Sequence, residues 1–192
     1  LQNSIQLIVG LGNPGPSYEG TRHNVGAWFV ELLAEEYAVS LNLESKFSGR
    51  VARLTLPQAN CWLLIPTTYM NRSGLAVKAI ASFYKIPPEA ILVAHDELDF
   101  PAGTTRFKQE GGHGGHNGLR DIINQLQANN FHRLRIGIGH PGHRDLVTDY
   151  VLNRPSKKDQ ELILNSIQNA SLALPNFLSG NYQQAIAQLH ST

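Results

Sequence analysis

Three stretches of this chain carry side chains suited to moving a proton and holding an acyl group. The first is Ile5 to Asn24, IQLIVGLGNPGPSYEGTRHN, with Asn13 in a loop of glycine and proline and His23 just beyond it. The second places Asn71 after the apolar run Cys61–Ile65, and the third places Asp96 after Ile91–Ala94, in Ala94-His95-Asp96-Glu97. An imidazole titrates near ~6.5, so His23 can serve as a general base close to neutral pH. Such a base needs an acid to fix its tautomer and to stabilise the imidazolium, and Asp96 is the best placed one. Asn13, Asn71 and Asn117 add amides able to donate to a developing oxyanion or accept from a peptide N–H.

Each of these residues also has a plainer reading. His23 can be a residue near a helix start bonded to backbone, and Asp96 can accept amides at a strand end. Asn71 and Asn117 both precede helices, where asparagine is a favoured N-cap. Asn13 sits beside Pro14, as a turn residue would. A covalent mechanism is disfavoured, because no serine occupies a G-x-S-x-G elbow and Cys61 lies at the start of an apolar strand, where thiols are usually inert. Attack by water is the simpler chemistry.

The elements that must position these groups follow from hydrophobic periodicity. Ile5–Leu11 reads as a strand buried on both faces. Val25, Trp28, Phe29 and Leu32 place a helix from there to about Tyr37. Strands are expected at Arg50–Leu56, Cys61–Ile65, Ile91–Ala94, Thr104–Lys108 and Leu134–Ile138. Asn71 and Ser73 can cap a helix with Leu75, Ala76, Ala79, Ile80, Phe83 and Tyr84 on its buried stripe. The glycine loop Gly111–Gly118 leads into a helix with Leu119, Ile122, Ile123 and Leu126 on one face. Helices are also expected at Leu146–Leu152, after a capping box of Ser156 and Asp159, and beyond Gly180. Alternating strands and helices predict a three-layer α/β/α fold, one domain over residues 1–192, with a central mixed, mostly parallel sheet. Asn13, Asn71 and Asp96 then fall just past the carboxyl ends of three strands, on the rim where open α/β folds keep their sites.

Composition narrows the function classes. The 192 residues are 42% hydrophobic and 16% charged, ordinary for a globular protein. One cysteine excludes an internal disulfide framework and is compatible with the cytosol. No apolar run approaches the ~20 residues that span a bilayer, and the start lacks a signal-peptide pattern. Net charge is +1, with −2 over residues 1–100 and +3 over the remainder, which permits a nucleic-acid partner without demanding one. Gly10-Leu11-Gly12-Asn13-Pro14-Gly15 matches G-x-G-x-x-G, but the loop continues to about Asn24 rather than opening a helix, so a dinucleotide site is a weak reading. The H-x-x-H pairs His113/His116 and His140/His143 lie in glycine-rich loops and read as solvated histidines rather than metal ligands.

Taken together, VGLGNPG with Tyr18 and TRHN, PTTYMNRSG, LVAHDELD, FK followed by GGHGGHNGL, and FHRLRIGIGHPG closely resemble bacterial peptidyl-tRNA hydrolase, in that family's order from Ile8 to Gly142. The resemblance implies cleavage of the ester joining a peptide to the 3′ end of tRNA, with no metal or cofactor, by a cytoplasmic monomer. It implies peptidyl-tRNA as the partner, with no membrane and no obligate protein partner. His23 resembles the family's water-activating base, Asp96 its orienting acid, and Asn13 the residue that distinguishes N-blocked from free aminoacyl-tRNA. Asn71 and Asn117 resemble the amides that hold the peptide and the attacking water. Tyr18 and Tyr69 occupy substrate-contacting positions, and Lys108 and Arg135 resemble a pair associated with the tRNA 5′-phosphate. One departure bears on that pair: Gln109-Glu110 stands where relatives commonly carry more glycine. The competing readings are a non-catalytic RNA-binding module and, more distantly, a dinucleotide-dependent oxidoreductase.

Overall fold

The computed structural model describes residues 4–57 and 59–191. Its centre is β1 (Leu7–Gly10), buried at every position. β1 is flanked by two parallel neighbours, β4 (Asn60–Pro66) and β5 (Ile91–Glu97), with Val9 opposite Leu64 on one side and Val93 on the other. β7 (His132–Gly137) continues the parallel core beyond β5. The flanks are antiparallel: β3 (Gly49–Thr55) on β4, β2 (Asn42–Glu44) on β3, and β6 (Thr105–Gln109) on β7. The 7-stranded order is β2-β3-β4-β1-β5-β7-β6.

Alternate residues of β1 serve opposite layers, as the pleat requires. Ile8 packs with Phe29 and Leu33 of α1 (Val25–Glu36) and with Ile167 and Leu174 of α5 (Lys157–Leu178), joined by α6 (Tyr182–His190). Leu7 and Val9 pack with Ile80 of α2 (Ser73–Tyr84) and Ile122 of α3 (Asn117–Leu126). A short helix, α4 (Val147–Val151), lies between β7 and α5 in the chain.

Two glycines set the position of α1. A Cβ on Gly10 would stand 2.4 Å from the Gly26 carbonyl, and one on Gly26 would stand 2.2 Å from the Ala94 carbonyl. The backbones of β1, β5 and the first turn of α1 therefore touch. That contact brings His23, two residues ahead of α1, beside Asp96, two residues past Ala94. The chain also reverses its direction of travel across the sheet at β1, and crevices form at such switch points.

Several expectations are corrected. Asp96 lies inside β5, which extends to Glu97, so its side chain is buried by strand neighbours rather than carried on a loop. Neither Asn71 nor Ser73 caps α2: Asn71 is in the 3₁₀ turn Met70–Arg72, and the Ser73 hydroxyl donates back to the Met70 carbonyl at 2.7 Å. Leu75 and Phe83 are exposed, because α2 turns Ala76, Val77, Ile80 and Ala81 to the core. Edge strand β2, exposed at all three residues, has no burial pattern that sequence could reveal. The capping role of Ser156 is present, its hydroxyl accepting from the Asp159 amide at 3.1 Å.

Candidate active site

At the carboxyl ends of β1 and β5 opens a cleft of about 780 Å³, lined by Asn13, His23, Tyr69, Asn71, Asp96, Lys108, Asn117 and Arg135 among others. Side chains from three strand ends and the glycine loop thus reach one cavity. Tyr18 is not on its wall; its ring meets Tyr69 edge-on, centroids 6.3 Å apart, and Tyr69 is exposed rather than packed under α2.

His23 stands in the 3₁₀ turn Arg22–Asn24, with Nδ1 2.8 Å from Asp96 Oδ2. A carboxylate accepts, so Nδ1 carries the proton and Nε2 keeps its lone pair. The second carboxylate oxygen is held by His116, whose Nε2 is 2.8 Å from Asp96 Oδ1. His116 Nδ1 accepts from the amides of Gly118 at 3.1 Å and Leu119 at 3.3 Å, which assigns its proton to Nε2. His116 is therefore the N-cap of α3, and Asn117 is the helix's first residue rather than its cap. The reading of His116 as a solvated loop histidine is overturned, since its side chain is only 9% exposed. The loop histidines His113, His140 and His143 do behave locally, each accepting an amide two residues on.

Burial works against charge on Asp96, but the two imidazoles that hold it outweigh burial and keep its carboxyl well below the usual carboxylate range. His23 shows the same contest. Burial lowers its affinity for a proton, while the charge and hydrogen bond of Asp96 raise it further, leaving the imidazole above its ordinary value. His95, pointing its Nδ1–H to the Asp96 carbonyl at 2.8 Å, is pushed by burial down to about 3 and stays neutral.

Asn13 is fixed on both its backbone and side chain. Its amide donates to Asn24 Oδ1 and its carbonyl accepts from Asn24 Nδ2, both at 2.9 Å. Its Oδ1 accepts from the Met70 amide at 2.7 Å, which leaves the side-chain NH₂ as the cleft-facing donor. Asn24, buried and adjacent to His23, was legible only as the end of TRHN.

On the far wall, β6 and β7 place Lys108 opposite Arg133 and Arg106 opposite Arg135. Like charges directly opposite one another destabilise a strand pair unless an anion joins them. Among the described residues none of the four forms an ion pair, and Glu110 does not reach Lys108. Arg133, which sequence reading passed over, is buried; its guanidinium donates to the carbonyls of Gly111, at 2.5 Å, and Gly112, and lies 4.5 Å over the Phe131 ring. It braces the loop that carries His116 and Asn117. Burial draws it down to about 10, so it remains a cation.

The ligand atoms of His23, Asp96 and His116 lie within 4.8 Å of one another, a set that could hold a metal ion. Both ring nitrogens, however, already face separate oxygens of Asp96 at hydrogen-bond distance, so a metal would have to displace both protons.

The fold is a three-layer α/β architecture with an imidazole oriented by a buried carboxylate at its switch point. The comparisons are more specific. The peptidyl-tRNA hydrolase family model matches residues 7–192. The chain is 58% identical over 189 residues to peptidyl-tRNA hydrolase of Pseudomonas paraeruginosa, covering 98% of this chain and 97% of that one. It is 54% identical over 191 residues to the Coxiella burnetii protein of the same name, covering 100% of each. The crystal structure of the Acinetobacter baumannii peptidyl-tRNA hydrolase superposes with a TM-score of 0.94 at 49% identity, over 97% of this chain and 94% of that one. This chain belongs to the peptidyl-tRNA hydrolase family.

Proposed function

We propose that this protein hydrolyses the ester joining a peptide, or an N-blocked amino acid, to the 3′ end of tRNA, and that it does so in the cytoplasm. The observation that carries the mechanism is the His23–Asp96 pair with its free Nε2. Nε2 takes a proton from water as the water oxygen bonds to the ester carbonyl carbon. The imidazolium is stabilised by Asp96, which His116 holds in place from the other side. As the tetrahedral intermediate collapses, the bond to the ribose 3′-oxygen breaks and His23 returns the proton to that oxygen. Asn71 and Asn117 hold the peptide and the water. The Asn13 NH₂ donates to the carbonyl of the blocked amine, which free aminoacyl-tRNA lacks. Lys108 and Arg135 take a tRNA phosphate, and Tyr69, backed by Tyr18, presents a ring to a base or to the peptide, where stacking contributes roughly 1–3 kcal/mol.

An ester is already activated, so general-base catalysis of ~10²–10⁴-fold with positioned donors suffices. The test is release of N-acetylated amino acid from tRNA in the presence of a chelator. Turnover with chelator, lost in His23→Ala, supports the proposal. RNA binding without turnover would establish the binding-module reading instead, and turnover abolished by chelator alone would favour a metal at the His23–Asp96–His116 set.

A further inference from the structure

α4 supplies Val147, Thr148 and Val151 to the wall of the cleft, yet it is only five residues long. A single turn of this length is not stable by itself, since helix nucleation is unfavourable. Only Val151 of these five is buried in the core. What ties the segment down is Arg22, the residue next to the proposed base. Its backbone amide donates to the Asn153 carbonyl at 3.0 Å. Its Nη1 donates to the carbonyls of Tyr150 at 2.9 Å and Asn153 at 3.3 Å; the Tyr150 carbonyl also accepts the Asn153 amide at 3.3 Å, so the guanidinium joins the turn that closes the helix's carboxyl end. The guanidinium carbon lies 3.8 Å from the centroid of the Tyr150 ring. The Tyr150 hydroxyl in turn donates to the Ile138 carbonyl at 2.7 Å, just past β7. A second clasp joins the same segments: Arg154 lies over Gly20, where a Cβ would come within 2.5 Å of its Nη1.

We propose that Arg22 is a positioning residue for substrate binding, latching α4 through Tyr150 to the turn that carries His23. The latch holds the apolar wall of Val147 and Val151 at a set distance from the base. His23 itself is oriented by Asp96, not by Arg22, so the latch governs how firmly the substrate is gripped rather than the chemical step. Arginine suits this role better than lysine because its planar fork reaches two carbonyls while stacking on a ring. The inference rests on the proposed substrate of the cleft.

The test compares Arg22→Ala, Arg22→Lys and Tyr150→Leu. For N-acetyl-aminoacyl-tRNA, Arg22→Ala raises KM by about 10-fold with kcat within about 3-fold, the pattern of lost uniform binding. Tyr150→Leu does the same, the double variant is no worse than either single one, and Arg22→Lys is intermediate. Amide hydrogen exchange over residues 147–153, measured without substrate, speeds up in both single variants while β1 and β5 stay protected. Unchanged KM and exchange, additive KM effects, or a fall in kcat alone would overturn the latch. Should Arg22→Ala not fold, the lysine and Tyr150 variants carry the same comparison. Because exchange needs no substrate, a wild-type protein inactive on this tRNA ester would defeat the functional reading while leaving the latch separately decided.

Discussion

One ring of His116 does two jobs: its Nε2 holds Asp96 at 2.8 Å while its Nδ1 receives the first amides of α3. These roles separate by substitution. His116→Ala loses the cap, at about 0.5–2 kcal/mol, together with a donor to the carboxylate. His116→Asn restores a favoured capping side chain but is too short to reach Asp96. Thermal melts are expected to show the asparagine variant recovering most of the stability, while kcat stays depressed about 10-fold or more in both. Recovery of kcat along with stability would reduce His116 to a helix cap.

Asp96 governs His23 in a direction that pH can read. The neutral imidazole is the active form, so kcat/KM rises with pH and levels off above a pKa that lies higher than 6.5. In Asp96→Asn only burial remains, which lowers that pKa; the acid limb moves to lower pH while the plateau falls by roughly 10²–10⁴-fold. Stability follows with its own sign. A depressed carboxylate stabilises the fold above its unfolded value and loses that contribution as pH falls through the folded one, so the stability gap between wild type and Asp96→Asn narrows in acid. Denaturant titrations at several pH values check this.

Asn13→Ala leaves the Met70 amide without its acceptor and removes the NH₂ that faces the cleft. The ratio of turnover on N-acetylated to free aminoacyl-tRNA is expected to collapse toward 1. A retained ratio would assign discrimination to another residue.

Lys108 faces the cleft from a strand pair already crowded with cations. Lys108→Ala is expected to raise KM for tRNA substrates and to reduce the salt slope of log KM by about 1. An unaltered slope would make Lys108 a solvated side chain.

The layers of the fold and the pairing of His23 with Asp96 were legible because they follow from buried strands and from the rule that sites gather at their carboxyl ends. The misreadings have definite causes. Asp96 reads as lying beyond its strand because apolar runs mark strands, whereas polar residues at a buried strand's end break the run without ending the strand. His116 reads as solvated because GGHGGHNG has the composition of a loop; nothing in its spacing reveals a carboxylate 20 residues away in sequence. Leu75 and Phe83 fit the same helical period as Ala76 and Ile80, but the core face is completed by Val77 and Ala81, so the stripe is rotated away from the two larger side chains. The bracing by Arg133 and the clamp of Asn24 on Asn13 depend on side chain–backbone bonds across the fold, which no local pattern encodes.

The central claim is that His23 is a neutral base protonated on Nδ1 and free on Nε2. Nitrogen-15 NMR of the imidazole across pH tests it most directly. The account predicts an Nδ1–H tautomer in the neutral form and a titration above 6.5 that coincides with the acid limb of kcat/KM. An Nε2–H tautomer, or a His23 titration that does not match the kinetic one, would contradict it.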